Sequence, residues 1–185
     1  GAAPDADYLD ALQKLVRDDD QDPAFRALVL QPPSQSDLAQ SLFDQGITPD
    51  PQKIYDAAET FAQTLAQSLA DSLPRLYADT SVQGPYVPDA IGSGKRALNF
   101  RVLSLLSRLD GGEQAARQYG SANNMTQQSA ALTCLLSIDK GADQTQAFFD
   151  QWRDDRLVMD KWFGLQIACA APDQAATIAQ TLTRH

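Results

Sequence analysis

Histidine occurs once in this 185-residue chain, as the last residue, His185. A His-Glu-x-x-His zinc site needs two imidazoles one helical turn apart, and the chain cannot supply them. Ser-His-Asp and Cys-His arrangements fail for the same reason, short of a terminal histidine folding back into a cleft. Cysteine is nearly as scarce. Cys134 and Cys169 each sit in an apolar, helix-like stretch, with no CxxC spacing and no neighbouring histidine. We expect two reduced packing residues, with a disulfide or ligand role as the alternative. No run of about 18 apolar residues is present, so no segment reads as a membrane span. The start, Gly1-Ala2-Ala3-Pro4-Asp5, has neither the basic segment nor the apolar core of a signal peptide, and no initiator Met. We therefore expect the chain to be part of a longer polypeptide.

Basic clusters are missing as well. The net charge is −9, from 24 acidic and 15 basic side chains. Such a surface repels nucleic-acid phosphates and anionic lipid headgroups, which argues against both as partners. A phosphate loop is also absent. Gly92-Ser93-Gly94-Lys95 lacks the first glycine of G-x-x-x-x-G-K-[S/T], Arg96 stands where a hydroxyl is needed, and no strand precedes it. A helix start is the simpler reading. The densest acidic run, Asp18-Asp19-Asp20 with Asp22, reads as a solvated turn, Asp22 capping a helix opened by Pro23.

Ala, Leu and Gln are abundant while Val and Ile are sparse, a bias toward helix. Tyr8, Leu9, Leu12, Leu15 and Val16 fall at helical spacing over residues 5–18. Asp22-Pro23 opens a short helix through Leu30, which Pro32-Pro33 ends. Ser36 is the expected cap of the next helix, with Leu38, Leu42 and Phe43 on its apolar face and Gly46 closing it. After Thr48-Pro49-Asp50-Pro51, the stripe Ile54, Ala58, Phe61, Leu65, Leu69, Leu73 predicts the longest helix, which Pro74 should kink or stop early. Residues 80–88 form an extended loop, and a helix follows from Asp89 to Leu109 despite Gly92 and Gly94. Beyond Asp110-Gly111-Gly112 comes a short helix with Ala115, Ala116 and Tyr119, then one capped by Thr126 and ending at Ile138. Three more are expected at about 142–153, 156–169 and 173–183.

No pair of strand-like runs is joined by hairpin chemistry. The fold class is therefore all-α, with stacked antiparallel helix pairs forming a superhelix or solenoid-like array. No strict 33- or 34-residue repeat is visible, which argues against ankyrin and TPR arrays. Thr183-Arg184-His185 offers no C-cap, so further helices are expected beyond it. Asp154, Asp155 and Asp160 surround a helix start, where acids offset the positive terminus rather than forming a glycosidase-like pair. Phe148, Phe149, Trp152, Trp162 and Phe163 suit two helices packed face to face, with a peptide-contacting surface as the alternative.

Four segments carry something more specific. Leu157-Val158-Met159-Asp160-Lys161-Trp162-Phe163 with Leu165-Gln166, and Asn123-Asn124-Met125-Thr126 about thirty residues earlier, resemble stretches of bacterial aminopeptidase N, a family of M1 zinc aminopeptidases. Lys95-Arg96-Ala97-Leu98-Asn99 resembles a basic helix start of that family. Asp22-Pro23-Ala24-Phe25 through Pro33-Ser34 resembles its short helix and proline break near the end of the catalytic part. The matches occur in family order from about Tyr8 to Leu182.

The resemblance implies the all-helical C-terminal region of such an enzyme, lying after the catalytic domain and a small β domain. Residues 1–34 would be short lead-in helices at the junction with the preceding part. Residues 35–185 would be the helical-repeat region, truncated at its C-terminal end. In the family this region forms a bowl over the catalytic cleft and limits access to short or unfolded peptides. The parent removes N-terminal residues with a zinc-bound water, using two histidines and a glutamate as ligands, a second glutamate as base and a Gly-x-Met-Glu-Asn loop. None of these motifs is in this sequence, so no catalytic or metal residue is assigned and the chain alone is expected to be inactive. The implied partners are the catalytic domain of the same polypeptide and the parent's peptide substrates, in the cytoplasm. The competing reading is a free-standing helical-repeat module that binds a protein.

Overall fold

The structure, a computed structural model, describes residues 4–184. Among them are eleven helices and no strand, which bears out the all-α class. They are α1 (Ala6–Arg17), α2 (Pro23–Val29), α3 (Gln35–Asp44), α4 (Pro51–Leu69), α5 (Leu73–Thr80), α6 (Ala90–Asp110), α7 (Glu113–Ser121), α8 (Met125–Leu136), α9 (Ala142–Trp152), α10 (Arg156–Ala168) and α11 (Ala175–Leu182). The chain divides into two compact units, one ending at Leu109 and one beginning at Asp110. That division is by packing. The boundary at residues 34 and 35 concerns roles in a parent chain.

Local chemistry explains most boundaries. Asp5, Asp22, Asp50 and Asp155 each accept backbone N–H bonds in the first turn of the helix that follows, as N-caps do. Two expected caps are corrected. Ser34, not Ser36, caps α3, and it forms a capping box in which the Asp37 carboxylate accepts from the Ser34 backbone N–H. Asn124, not Thr126, caps α8 through a bond from the Gln127 backbone N–H. Pro74 sits in the first turn of α5, where a missing N–H costs nothing, and α4 has already stopped at Leu69.

In the first unit α6 carries the most buried residues. Glu59 of α4 meets Arg108 near the end of α6, and Thr80 at the end of α5 meets Asn99, so both helices are tied to it. Gln31, just past α2, accepts from Arg101, and Ala24 lies against Gly94, so α2 runs parallel to the first half of α6. A Cβ at Gly94 would stand 3.2 Å from the Ala24 backbone nitrogen, so the glycine that looks like a weak point in α6 permits the close approach of α2. Leu12, Val16, Leu65, Leu69, Leu73, Leu76, Leu98 and Val102 form one aliphatic core. Helix α3 buries nothing. Leu38 and Leu42 are half-buried, and Phe43, expected on the apolar face, is 68% exposed.

In the second unit α7 and α8 are antiparallel. Gly112 at the start of α7 lies against Leu135 and Ile138, and Gln118 at its end donates to the Gln127 carbonyl. Helix α9 returns antiparallel to α8, with Gln151 and Trp152 bonded to Gln128 and Gly141 against Leu135. The core is aromatic, built from Phe148, Trp162, Val158, Met159 and Leu132 with Phe149, Trp152 and Phe163 packed against it.

Candidate functional site

The two segments that resembled family stretches most strongly meet in the second unit. Met125, Val158, Met159, Trp162 and Phe163 belong to one cluster. Its centre is Trp162, 4% exposed, whose ring lies 5.1 Å from Phe149 and 4.9 Å, nearly edge-on, from Phe163. Every polar handle in the cluster is satisfied by a neutral partner. Trp162 Nε1 donates to the Thr145 carbonyl at 2.9 Å, Trp152 Nε1 to Gln128 Oε1 at 2.9 Å, and the Tyr119 hydroxyl to the Gln144 carbonyl at 2.9 Å. Burial disfavours the phenolate and raises the Tyr119 pKa. The packing reading of these aromatics holds.

The same segments also hold residues that the cluster leaves out. Asn123, Thr126, Asp160 and Lys161 are exposed, and Leu157 is 76% exposed. Leu157, an apolar residue beside Val158, invites the reading that it locks adjacent helices together with Val158, Trp162 and Phe163. It does not, because α10 buries positions 158, 159 and 162 and leaves 157 in solvent. Asp154 and Asp160 stay exposed, and Asp155 is a cap.

Other singled-out residues are structural. Asn99 is buried and donates from Nδ2 to the Tyr77 carbonyl at 3.1 Å and to Thr80 Oγ1 at 3.2 Å, tying α6 to the last turn of α5. Arg96 lies 4.6 Å from the Tyr86 ring centre and donates to the Val87 carbonyl, pinning the 81–89 connection to α6. Cys134 is buried and Cys169 half-buried, and neither is in a disulfide. Burial raises the Cys169 pKa, with a smaller opposing effect from Ser137, which keeps it a thiol.

Sequence reasoning missed one constellation. Arg26, only 5% exposed, donates to the Val16 carbonyl from Nε at 2.9 Å and also from Nη2, so a buried guanidinium closes the C-terminus of α1. Asp19 meets Arg26 at 3.3 Å and Arg75 at 2.7 Å. The acidic run is thus more than a solvated turn, since one member joins α2 to α5. No local pattern could have signalled this, because Arg75 lies 56 residues from Asp19.

The donor set does not fit a catalytic zinc. No group of three or more His, Cys, Asp or Glu side chains is placed to hold a metal among the described residues, and His185 lies outside them. No step is assigned through that ion. Nor is any described helix long and apolar enough to cross a membrane.

These features define a helical-repeat protein. The family described as "Domain of unknown function (DUF3458_C) ARM repeats" matches residues 1–185, and the chain belongs to it. Its relatives include the Aminopeptidase N of Caulobacter vibrioides, 34% identical over 184 residues, which covers 96% of this chain and 21% of that protein. The Aminopeptidase N of Escherichia coli is 33% identical over 181 residues, 94% of this chain and 19% of that protein. The chain spans about a fifth of the length of these curated relatives. A crystal structure of Legionella pneumophila aminopeptidase A in complex with aspartic acid shares the fold, with a TM-score of 0.81 at 20% identity over 98% of this chain and 22% of that one. The resemblance to bacterial aminopeptidase N thus extends along nearly the whole chain.

Proposed function

We propose that this chain is the noncatalytic helical region of an M1-type zinc aminopeptidase, bordering the catalytic cleft of the same polypeptide and restricting which peptides reach it. The observation that carries the reading is the match to Aminopeptidase N along at least 94% of the chain, against about a fifth of each relative. The remaining length of such a protein has room for the zinc ligands and base that this sequence cannot provide. Two packed helical units, each with its own core, suit a wall rather than a reaction centre. In this reading the parent acts on peptide N-termini in the cytoplasm.

Two measurements test the proposal. The purified 185-residue chain, supplied with zinc and an aminoacyl chromogenic substrate, should show no turnover; zinc-dependent release of the chromophore would overturn the noncatalytic role. Reading the parent gene should reveal His-Glu-x-x-His several hundred residues upstream. A parent without that motif would favour the free-standing interaction module instead.

A further inference from the structure

A cleft of about 1040 Å³ opens between α1, the proline break after α2, and α4 in the first unit. Its floor is α4 around Ala58 and Phe61, and its walls carry Tyr8 and Pro33. The Tyr8 and Phe61 rings stand 6.2 Å apart, and Tyr8 remains about half exposed. At the rim, Asp5 and Asp56 are exposed carboxylates. The Asp5 carboxylate accepts from the Asp7 backbone and the Asp56 carboxylate from the Gln52 side chain, and among the described residues neither carboxylate is paired with a cation. The one basic residue of the lining, Lys53, instead lies 3.7 Å from Asp50.

We propose that this cleft docks an extended peptide segment that carries Lys or Arg next to large apolar side chains. Three features select that chemistry. The apolar floor and aromatic wall remove large apolar side chains from water. The two rim carboxylates and the exposed Tyr8 face attract a cation, and the chain's net charge of −9 draws cationic ligands from a distance. An acidic peptide would place like charges against Asp5 and Asp56, which gives discrimination rather than mere stickiness. The site does not depend on the aminopeptidase reading.

The test is fluorescence anisotropy of the 185-residue chain with three fluorescein-labelled peptides, alternating Leu/Arg, Leu/Glu and Ser/Arg. Leu/Arg should bind saturably, and the other two at least about tenfold more weakly. Ala57→Trp, an exposed position on the lining, should abolish binding while the helical circular dichroism stays native. Asp56→Lys should weaken it far more than Asp173→Lys in the second unit. Equal affinity for Ser/Arg, intact binding in a natively folded Ala57→Trp, or equal effects of the two charge reversals would each overturn the proposal. So would a dimer in sedimentation that Ala57→Trp dissociates while no peptide binds, since the occupant would then be a second copy.

Discussion

The two units bury their apolar surface in different ways. The first has an aliphatic core whose helices are joined by charged groups, namely Arg26 and Arg75 with Asp19, and Arg108 with Glu59 at 3.1 Å. The second has an aromatic core whose inner polar atoms pair with amides and carbonyls. Branched aliphatic side chains fill space but cannot hydrogen-bond, so register between the helices of the first unit comes from long ionic side chains together with the buried Asn99 amide. Indole and phenol groups carry a donor into the core and set register from inside. The first unit, where exposed ion pairs join different helices, should therefore respond to salt more than the second, whose Arg117–Glu113 pair lies within one helix.

The largest effect expected is Trp162→Ala, which empties the centre of the aromatic cluster and should cost about 3–5 kcal/mol in urea unfolding. An effect below about 1 kcal/mol would mean that Trp162 is no anchor. Leu69→Ala is the aliphatic counterpart and should cost about 2–5 kcal/mol, with the lower end expected if neighbouring leucines relax into the gap. Because Trp152 and Trp162 both lie in the second unit, tryptophan emission follows that unit while circular dichroism follows both. Gly94→Val comes next. A better helix former enters α6, yet its Cβ meets the Ala24 backbone, and a net loss of about 1–3 kcal/mol is expected. A gain in thermal stability would show that α2 can back away at little cost.

Smaller effects sharpen the ionic side of the contrast. Arg75→Gln removes an exposed pair and should cost about 0.2–1 kcal/mol, vanishing in high salt. The gentlest test concerns Asp37. Bonds from the Ser34 hydroxyl, and secondarily from its backbone N–H, hold the Asp37 pKa below its usual value. A depressed carboxylate pKa adds stability above the unfolded-state value, and that stability is lost as the pH falls through the folded-state value. Amide protection factors in the first turn of α3, taken relative to the intrinsic exchange rate at each pH, should therefore fall in acid, and Asp37→Asn should flatten that dependence. An unchanged profile in the variant would assign the acid response to another group.

Helix existence was legible wherever apolar spacing ran three and four apart, as from Ile54 to Leu69 or across 156–169. What the spacing could not tell was which face has a neighbour. Phe43 and Leu157 are apolar residues at plausible positions, yet both stand in solvent because nothing packs over them within their unit. Caps were legible in kind but off by two residues, at Ser34 and Asn124. The missed clue was the Asp or Gln three residues on, at Asp37 and Gln127, which completes each cap. In the candidate site, packing of Phe148, Phe149, Trp152, Trp162 and Phe163 was foreseeable, whereas their carbonyl and amide partners were not.

By itself, the sequence determined the all-α class, the family resemblance and the lack of a metal-binding histidine pair, because these depend on residue type and short-range spacing. Tertiary structure alone decided that Arg26 would be buried against Val16, that Asp19 would bridge two helices, and that Gly94 would admit α2. It also opened the cleft beside Tyr8 and Phe61. Each of these joins residues far apart in the chain. Their energies depend on distance and burial in three dimensions, which no local pattern of amino acids encodes.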